Sequence, residues 1–452
     1  MTANDDMLRV DPTPGVTGED LEAPDLTAAA DLEAVAAEIT AQSLGQYMNA
    51  WMTRVRSGDA GVLPVTVALV AVAVVFTIVS PNHVFLSAAN LVNLFDQSAV
   101  FIVLAFAEGF VLLLGEIDLS IGYVGAIGGI VAASLVQPTP NLPWWFAMIA
   151  GLAVCAAIGA IHGVIITRLG LPAFVVTLAG YLLWFGVMII ILGAAGGISI
   201  TSTVLPNQEA MYGIVNAYLD PLVSWVGLAA LVLVVGGSMW LRDAGRRHSG
   251  LVAPPVGLTV AKIVFLAVAG ALVVAICNLN RSLGTLPIVG VPWVVPLLLA
   301  VLVAWTLLLE RTQFGRHMYA VGGNAEAARR AGINVGRVRT IAFILCSGTA
   351  GLAGIIYCSQ LGGMTTNING GQLVLYAVAA AVIGGTSLFG GRGRAIHGLL
   401  GGLVIGAIYN GLFLLGFPIQ WQLIATGLVL LAAVSVDSLS RRGGGSGVLV
   451  RA

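Results

Sequence analysis

Two carboxylates, Glu116 and Asp118, interrupt the stretch "LLLGEIDLSIGYVGAIGG" (112–129), which otherwise reads as membrane. Two more acids, Asp96 and Glu108, stand a few turns upstream in an apolar run. Ionisable groups in a bilayer are costly and rarely face lipid, so each needs a partner or a task. A carboxylate here has three possible tasks: accepting backbone N–H groups at a helix break, lining or gating a polar path, or binding a coupling ion. One apolar run arrives near Gly115 and another begins near Leu119. Asp118 is therefore placed to N-cap the second helix, at the positive end of its dipole. Ser120 beside it, with Gly115 and Gly122 on either side, fits a broken helix whose irregular backbone is buried or lines a wet cavity. Glu116 is expected to pair with an arginine, Arg392 or Arg394.

The second constellation is cationic. The connection "RTQFGRHMYAVGGNAEAARRAGINVGRVR" (311–339) carries six arginines. Inside it Asn324 reads as an N-cap, Glu326, Ala327, Ala328, Arg329 and Arg330 as helix formers, and Gly332 as the C′ stop. Glu326 near the start and the two arginines near the end also complement the helix dipole. Topology alone does not require such a helix, so it asks for a partner.

The elements that position these groups follow from composition. Hydrophobic residues make up 58% of the 452, charged residues only 9%, and glycines number 58. Soluble domains carry roughly 25% charged residues, so a soluble or nucleic-acid-binding protein is excluded. Small residues let membrane helices approach closely. The fold class is all-α and polytopic, with about twelve transmembrane or re-entrant helices. Apolar segments lie near 62–80, 92–114, 119–136, 144–166, 173–195, 221–241, 258–276, 289–309, 340–358, 373–389, 396–416 and 419–438, of which 373–389 is short enough to be re-entrant. Placing the N-terminus inside puts 18 of the 20 Lys and Arg residues in cytoplasmic segments. The positive-inside rule thus predicts cytoplasmic termini at both ends. Residues 1–40 form an acidic, largely disordered tail holding ten of the 21 acids, 41–60 an interfacial helix with Tyr47, Trp51, Arg54 and Arg56, 61–440 the membrane domain and 441–452 a cytoplasmic tail. Cys155, Cys277, Cys346 and Cys358 show no CxxC spacing and read as small buried hydrophobes.

The segment "EAARRAG" resembles the EAA---G coupling signature of permease subunits of ATP-binding-cassette importers. "GEIDLSIG" (115–122), "LGLPAFVVTLAG" (169–180) and "AAVIGGTSLFGGRGRAIHGLLGG" (380–402) are similar to the branch that takes up ribose, xylose and other monosaccharides. The resemblance runs in order from about 62 to 440, and two extra spans between 241–250 and 307–324 resemble the longer, xylose-type permeases. It implies a bacterial-type inner-membrane transport subunit, not an enzyme. The expected partners are a separate ATPase carrying ATP and magnesium, an extracytoplasmic sugar-binding protein, a second permease copy and membrane lipid. The only lysine is Lys262, so the chain has no GxxxxGK[ST] phosphate loop. No cofactor, metal or nucleic acid is expected on this chain. Gly384, Gly385 and Thr386 join the helix-break set, because "GGTSLFGG" echoes "GEIDLSIG" in Gly, Leu and Gly at matched positions. A sugar needs polar groups for its hydroxyls and an aromatic face for its C–H surface. Asn90, Asn93, Gln97, Tyr181, Trp184, Tyr357, Tyr376, Tyr409 and Asn410 are the candidates in spans, and Asn93, Gln97, Tyr376, Tyr409 and Asn410 form the expected sugar path. Many relatives carry Glu-Leu-Asp where this chain has Val374, Leu375 and Tyr376, so any role of those acids does not transfer. The alternative is an ion-coupled secondary transporter using Asp96, Glu108 and Asp118.

Overall fold

The computed structural model describes residues 44–56, 61–202, 204–251, 253–282 and 284–443. The expected acidic tail (1–40) and residues 444–452 lie outside the described residues, as do 41–43 and 57–60 of the expected interfacial segment. Sixteen helical stretches follow among the described residues. They are α1 (Leu44–Arg56), α2 (Leu63–Val79), α3 (Ala88–Leu112), α4 (Ile121–Leu135), α5 (Trp144–Leu169), α6 (Ala173–Leu192), α7 (Pro206–Asn216), α8 (Pro221–His248), α9 (Val256–Cys277), α10 (Val294–Arg311), α11 (Gln313–Gly323), α12 (Ala325–Arg330), α13 (Val335–Leu361), α14 (Gly370–Gly384), α15 (Ala395–Leu414) and α16 (Ile419–Gly443). A π-turn at Val232–Gly236 interrupts α8.

Each of the twelve expected apolar segments meets a helix. Eight helices (α3, α5, α6, α8, α9, α10, α13 and α15) are long and apolar enough to cross a membrane. The other four are shorter: α2, α4, α14 and the Ile419–Ala432 part of α16. At 1.5 Å per residue, the 15 residues of α14 reach only about 22 Å, short of a bilayer core of roughly 30 Å.

Two layers explain which helices are buried. An inner group of α3, α4, α5, α13, α14 and α15 packs closely, with α13 lying against α3, α4 and α5, and α15 against α3 and α14. Glycine makes the closest of these approaches possible. A Cβ on Gly354 of α13 would fall on the Gly125 carbonyl of α4, which is how helices pack without a hydrophobic drive between them. The outer helices α2, α6, α8 and α9 turn exposed Leu, Val, Ile and Phe outward, as lipid-facing surfaces require. A short antiparallel pair, β1 (Gly197–Ser199) with β2 (Gly363–Thr365), ties the segment after α6 to the end of α13.

Candidate functional site

Helix α3 (Ala88–Leu112) has a neutral polar set at one end and the buried carboxylates at the other. At its N-terminal end Asn93, Gln97 and Phe101 recur every fourth residue, so they share one face. Gln97 donates its amide to Asn93 Oδ1 at 3.2 Å and accepts from Asn410 Nδ2 of α15, also at 3.2 Å. Asn90, also a candidate by residue type, closes the chain by donating to Asn410 Oδ1 at 2.9 Å and to the Phe85 carbonyl at 2.9 Å. One turn on, Phe101 stands edge-on to Tyr376 of α14 (5.0 Å between ring centroids) and to Tyr409 of α15 (5.5 Å), the tyrosines being 6.1 Å apart. Gln372 donates to the Tyr376 hydroxyl at 2.7 Å. Asn93, Gln97, Tyr376, Tyr409 and Asn410 thus converge with Asn90 from three helices, whereas Tyr181 and Trp184 lie elsewhere, against Tyr123 and His162. The set is uncharged, and its amides are already hydrogen-bonded to one another. It offers hydrogen-bonding edges beside ring faces, the surface a polyhydroxylated ligand requires.

The C-terminal end of α3 is charged and sealed. Glu108 and Asp118 are both fully buried. Glu108 Oε1 accepts the Asp118 backbone N–H at 3.1 Å, and Asp118 Oδ1 accepts from the Ser120 N–H at 2.9 Å and its hydroxyl at 2.6 Å. The Asp118 capping expectation is corrected in one respect. The residue at the N-cap position of α4 is Ser120, whose own side chain makes no cap bond, and Asp118 holds that residue from two positions back. The turn tightens before the helix begins, so the carboxylate fastens the break instead of the first helical turn. His162 of α5 bears on Asp118 and accepts the Trp184 indole N–H at 3.1 Å.

The expected partner of Glu116 is also corrected: it pairs with Arg339 on α13, not Arg392 or Arg394. Arg339 enters the inner group with the first turn of α13, and that topological position is not readable from the local sequence. Burial pushes the Glu116 carboxyl above its ordinary range, and the Arg339 guanidinium pulls it back. Asp96 belongs to neither set. It lies near Arg281, whose guanidinium stacks 4.9 Å over the Tyr218 ring. Twelve residues of helix, about 18 Å, separate Asp96 from Glu108, so the three acids of the ion-coupled alternative do not form one site.

The two broken stretches, remote in sequence, meet in space. The Gly391 N–H donates to the Leu113 carbonyl at 2.9 Å. Gly115 and Gly385 hold positive φ (75° and 111°), and Thr386 is buried. Gly122 and Gly384 sit where α4 meets α14 and where α14 meets α15. Helix α11 lies across this junction. A Cβ on Gly322 would land on the Leu113 carbonyl and against the Gly391 amide, and Tyr319 Oη donates to the Gly393 carbonyl at 2.7 Å. Neither residue stood out in the sequence, since a Gly in a Gly-rich chain gives no signal. From α11 the chain passes directly into α12. Asn324 Oδ1 accepts the Ala327 N–H at 2.9 Å, Glu326 meets Arg329 at 2.9 Å and Arg330 at 3.4 Å, and Gly332 has φ 83°. Ala328 is the buried residue of this otherwise exposed helix. Among the described residues no group of three or more His, Cys, Asp or Glu is arranged to hold a metal ion.

A family model described as branched-chain amino acid transport system / permease component matches residues 90–434. The xylose transport system permease protein of Escherichia coli (strain K12) is 34% identical over 376 residues, covering 83% of this chain and 91% of that protein. The ribose import permease protein of the same strain is 33% identical over 370 residues, covering 82% and 91%. Its D-allose transport system permease protein is 29% identical over 373 residues, covering 82% and 90%. No solved structure matches the chain.

Proposed function

Since this chain belongs to the branched-chain amino acid transport system permease family, we propose that it is the membrane subunit of an ATP-driven importer for a monosaccharide, xylose or a similar sugar. It is a multi-pass membrane protein and a permease subunit, not itself an enzyme. The sugar reaches it from an extracytoplasmic binding protein, and ATP hydrolysis belongs to a separate ATPase subunit. Both termini and α12 lie in the cytoplasm, and a second permease copy completes the assembly. The relatives named for xylose and ribose stand nearly level in identity and one named for allose follows, which supports a monosaccharide without selecting among them.

The observation that carries this reading is the seat of α11. A helix joined to the capped α12 through the single residue Asn324 bears at Gly322 on both membrane breaks at once, the one after α3 and the one before α15. A push on Asn324–Gly332 from outside the membrane therefore reaches both ends of the inner group without passing through a flexible linker. Asn93, Gln97, Tyr376, Tyr409 and Asn410 form the sugar contact at the opposite end of α3. Residues 98–108 of α3 are all buried between the two ends, which supports access that alternates by movement of the helices. Gly115, Glu116, Asp118, Ser120, Gly122, Gly384, Gly385 and Thr386 act as the hinge.

The test is sugar uptake in cells expressing the chain with its partners, under ATP depletion with ion gradients kept, and under gradient collapse with ATP kept. Uptake is expected to vanish only in the first case, and to vanish in a Glu326→Lys/Gly332→Asp variant. Uptake that follows the gradients and ignores the variant would overturn the reading.

A further inference from the structure

Beside α12 lies a groove of about 450 Å³, whose polar side chains are Thr167, Arg329, Asn334 and Arg339. No acid lines it. Arg339 is shared: one side faces the groove, and the other holds Glu116 in the break between α3 and α4. That pair is incomplete on both sides. Glu116 Oε2 and Arg339 Nε are buried and have no hydrogen-bond partner. A guanidinium binds carboxylates best through two parallel bonds, and here it is held by one edge with donors to spare.

We propose that the groove receives a carboxylate side chain of the ATPase subunit, and that this carboxylate competes with Glu116 for Arg339. The inference rests on the importer reading above. The partner is argued from position and charge. One wall is the end of α12, the segment a docking subunit must touch, and the lining is cationic where Glu326 already neutralises only the outer face of Arg329. Docking then has a direct consequence inside the membrane domain. Arg339 turned towards the groove releases Glu116, and the 113–120 connection loses its tie to α13 while Asp118 and Ser120 still hold its far side. Undocking restores the tie. The ion pair is a latch between the partner's position and the break, separate from the mechanical seat at Gly322.

The experiment measures binding of the purified ATPase subunit to the full chain in lipid nanodiscs. Glu116→Gln removes the competing charge and keeps the shape, so it is expected to tighten binding about fivefold to tenfold, the size of one net hydrogen bond of about 1 kcal/mol no longer lost to the competitor. In an Arg339→Gln background the same change is expected to have no effect, and Arg329→Gln is expected to weaken binding. Arg339→Lys, which keeps the charge and loses the fork, serves should Arg339→Gln fail to fold, and with it the gain from Glu116→Gln is expected to shrink. Unchanged or weaker binding by Glu116→Gln would overturn the latch. So would a gain obtained instead by deleting residues 1–40, which would make the chain's own acidic segment the occupant. Wild-type chain that binds no ATPase at all would remove the importer reading itself, before any variant is made.

Discussion

The two ends of α3 handle polarity in opposite ways. The Asn93–Phe101 end gathers amides and phenols, neutral groups already bonded to one another and partly open to the surface. The Glu108–Asp118 end gathers charges, burying Glu108 and Asp118 fully and leaving the Glu116–Arg339 pair half-buried beside the groove. A neutral hydrogen bond is worth about 1 kcal/mol net and is exchanged readily for one to a ligand. A buried charge stripped of its partner costs several kcal/mol, so it holds its geometry until something of equal charge replaces that partner. The first end is built to exchange partners with a solute, the second to stay fixed until a charged competitor arrives.

The comparison breaks most visibly at the charged end. Arg339→Ala leaves the half-buried Glu116 without its partner, and is expected to destabilise the chain by about 2 kcal/mol in unfolding measurements on detergent-solubilised protein. Adding Glu116→Gln is expected to recover much of that loss. Equal stability of Arg339→Ala and wild type would mean the charges are not held as described. Next comes the junction itself. Gly322→Val puts side-chain atoms where the Leu113 carbonyl and Gly391 amide lie, and is expected to cut ATP-driven uptake at least tenfold, about 1.4 kcal/mol, while the ATPase still binds. At the neutral end the effects move from stability to affinity. Gln97→Ala is expected to raise the KM for sugar about fivefold, with stability within about 0.5 kcal/mol of wild type. A stability loss as large as that of Arg339→Ala would erase the distinction between the ends. The smallest effect is expected of Tyr376→Phe, which keeps the ring against Phe101 and loses the bond from Gln372. A change of about twofold in KM with unaltered maximal uptake would assign Tyr376 to ring contact more than to hydrogen bonding.

Much of this was legible in the chain itself. The apolar segments gave the helices, because hydrophobic run length is a local property that the bilayer reads directly. Asn324, Glu326 and Gly332 gave α12, because capping involves residues three or four apart. The five polar and aromatic candidates were found by residue type alone, since neutral polar groups are conspicuous in an apolar chain. Asn90 was a candidate on the same ground, and residue type alone could not rank it against Asn93 or tell Tyr376 and Tyr409 from Tyr181 and Trp184. The weak echo between 115–122 and 384–391 matched in three positions, too few to carry weight in a chain with 58 glycines.

What the tertiary structure alone decided was pairing across long separations. Glu116 could be expected to need an arginine, but Arg339 and not Arg392 or Arg394 was fixed by how α13 enters between α4 and α5, 223 residues downstream. Ser120 and not Asp118 stands at the N-cap of α4 because the turn closes one step earlier, against Glu108. The meeting of Leu113, Gly391 and Gly322 joins three segments that share no local pattern. Sequence determines what a few neighbouring residues can settle among themselves, such as length, capping and hydropathy. Which buried charge meets which partner depends on the packing of whole helices, and there a single close approach at a glycine decides more than any motif.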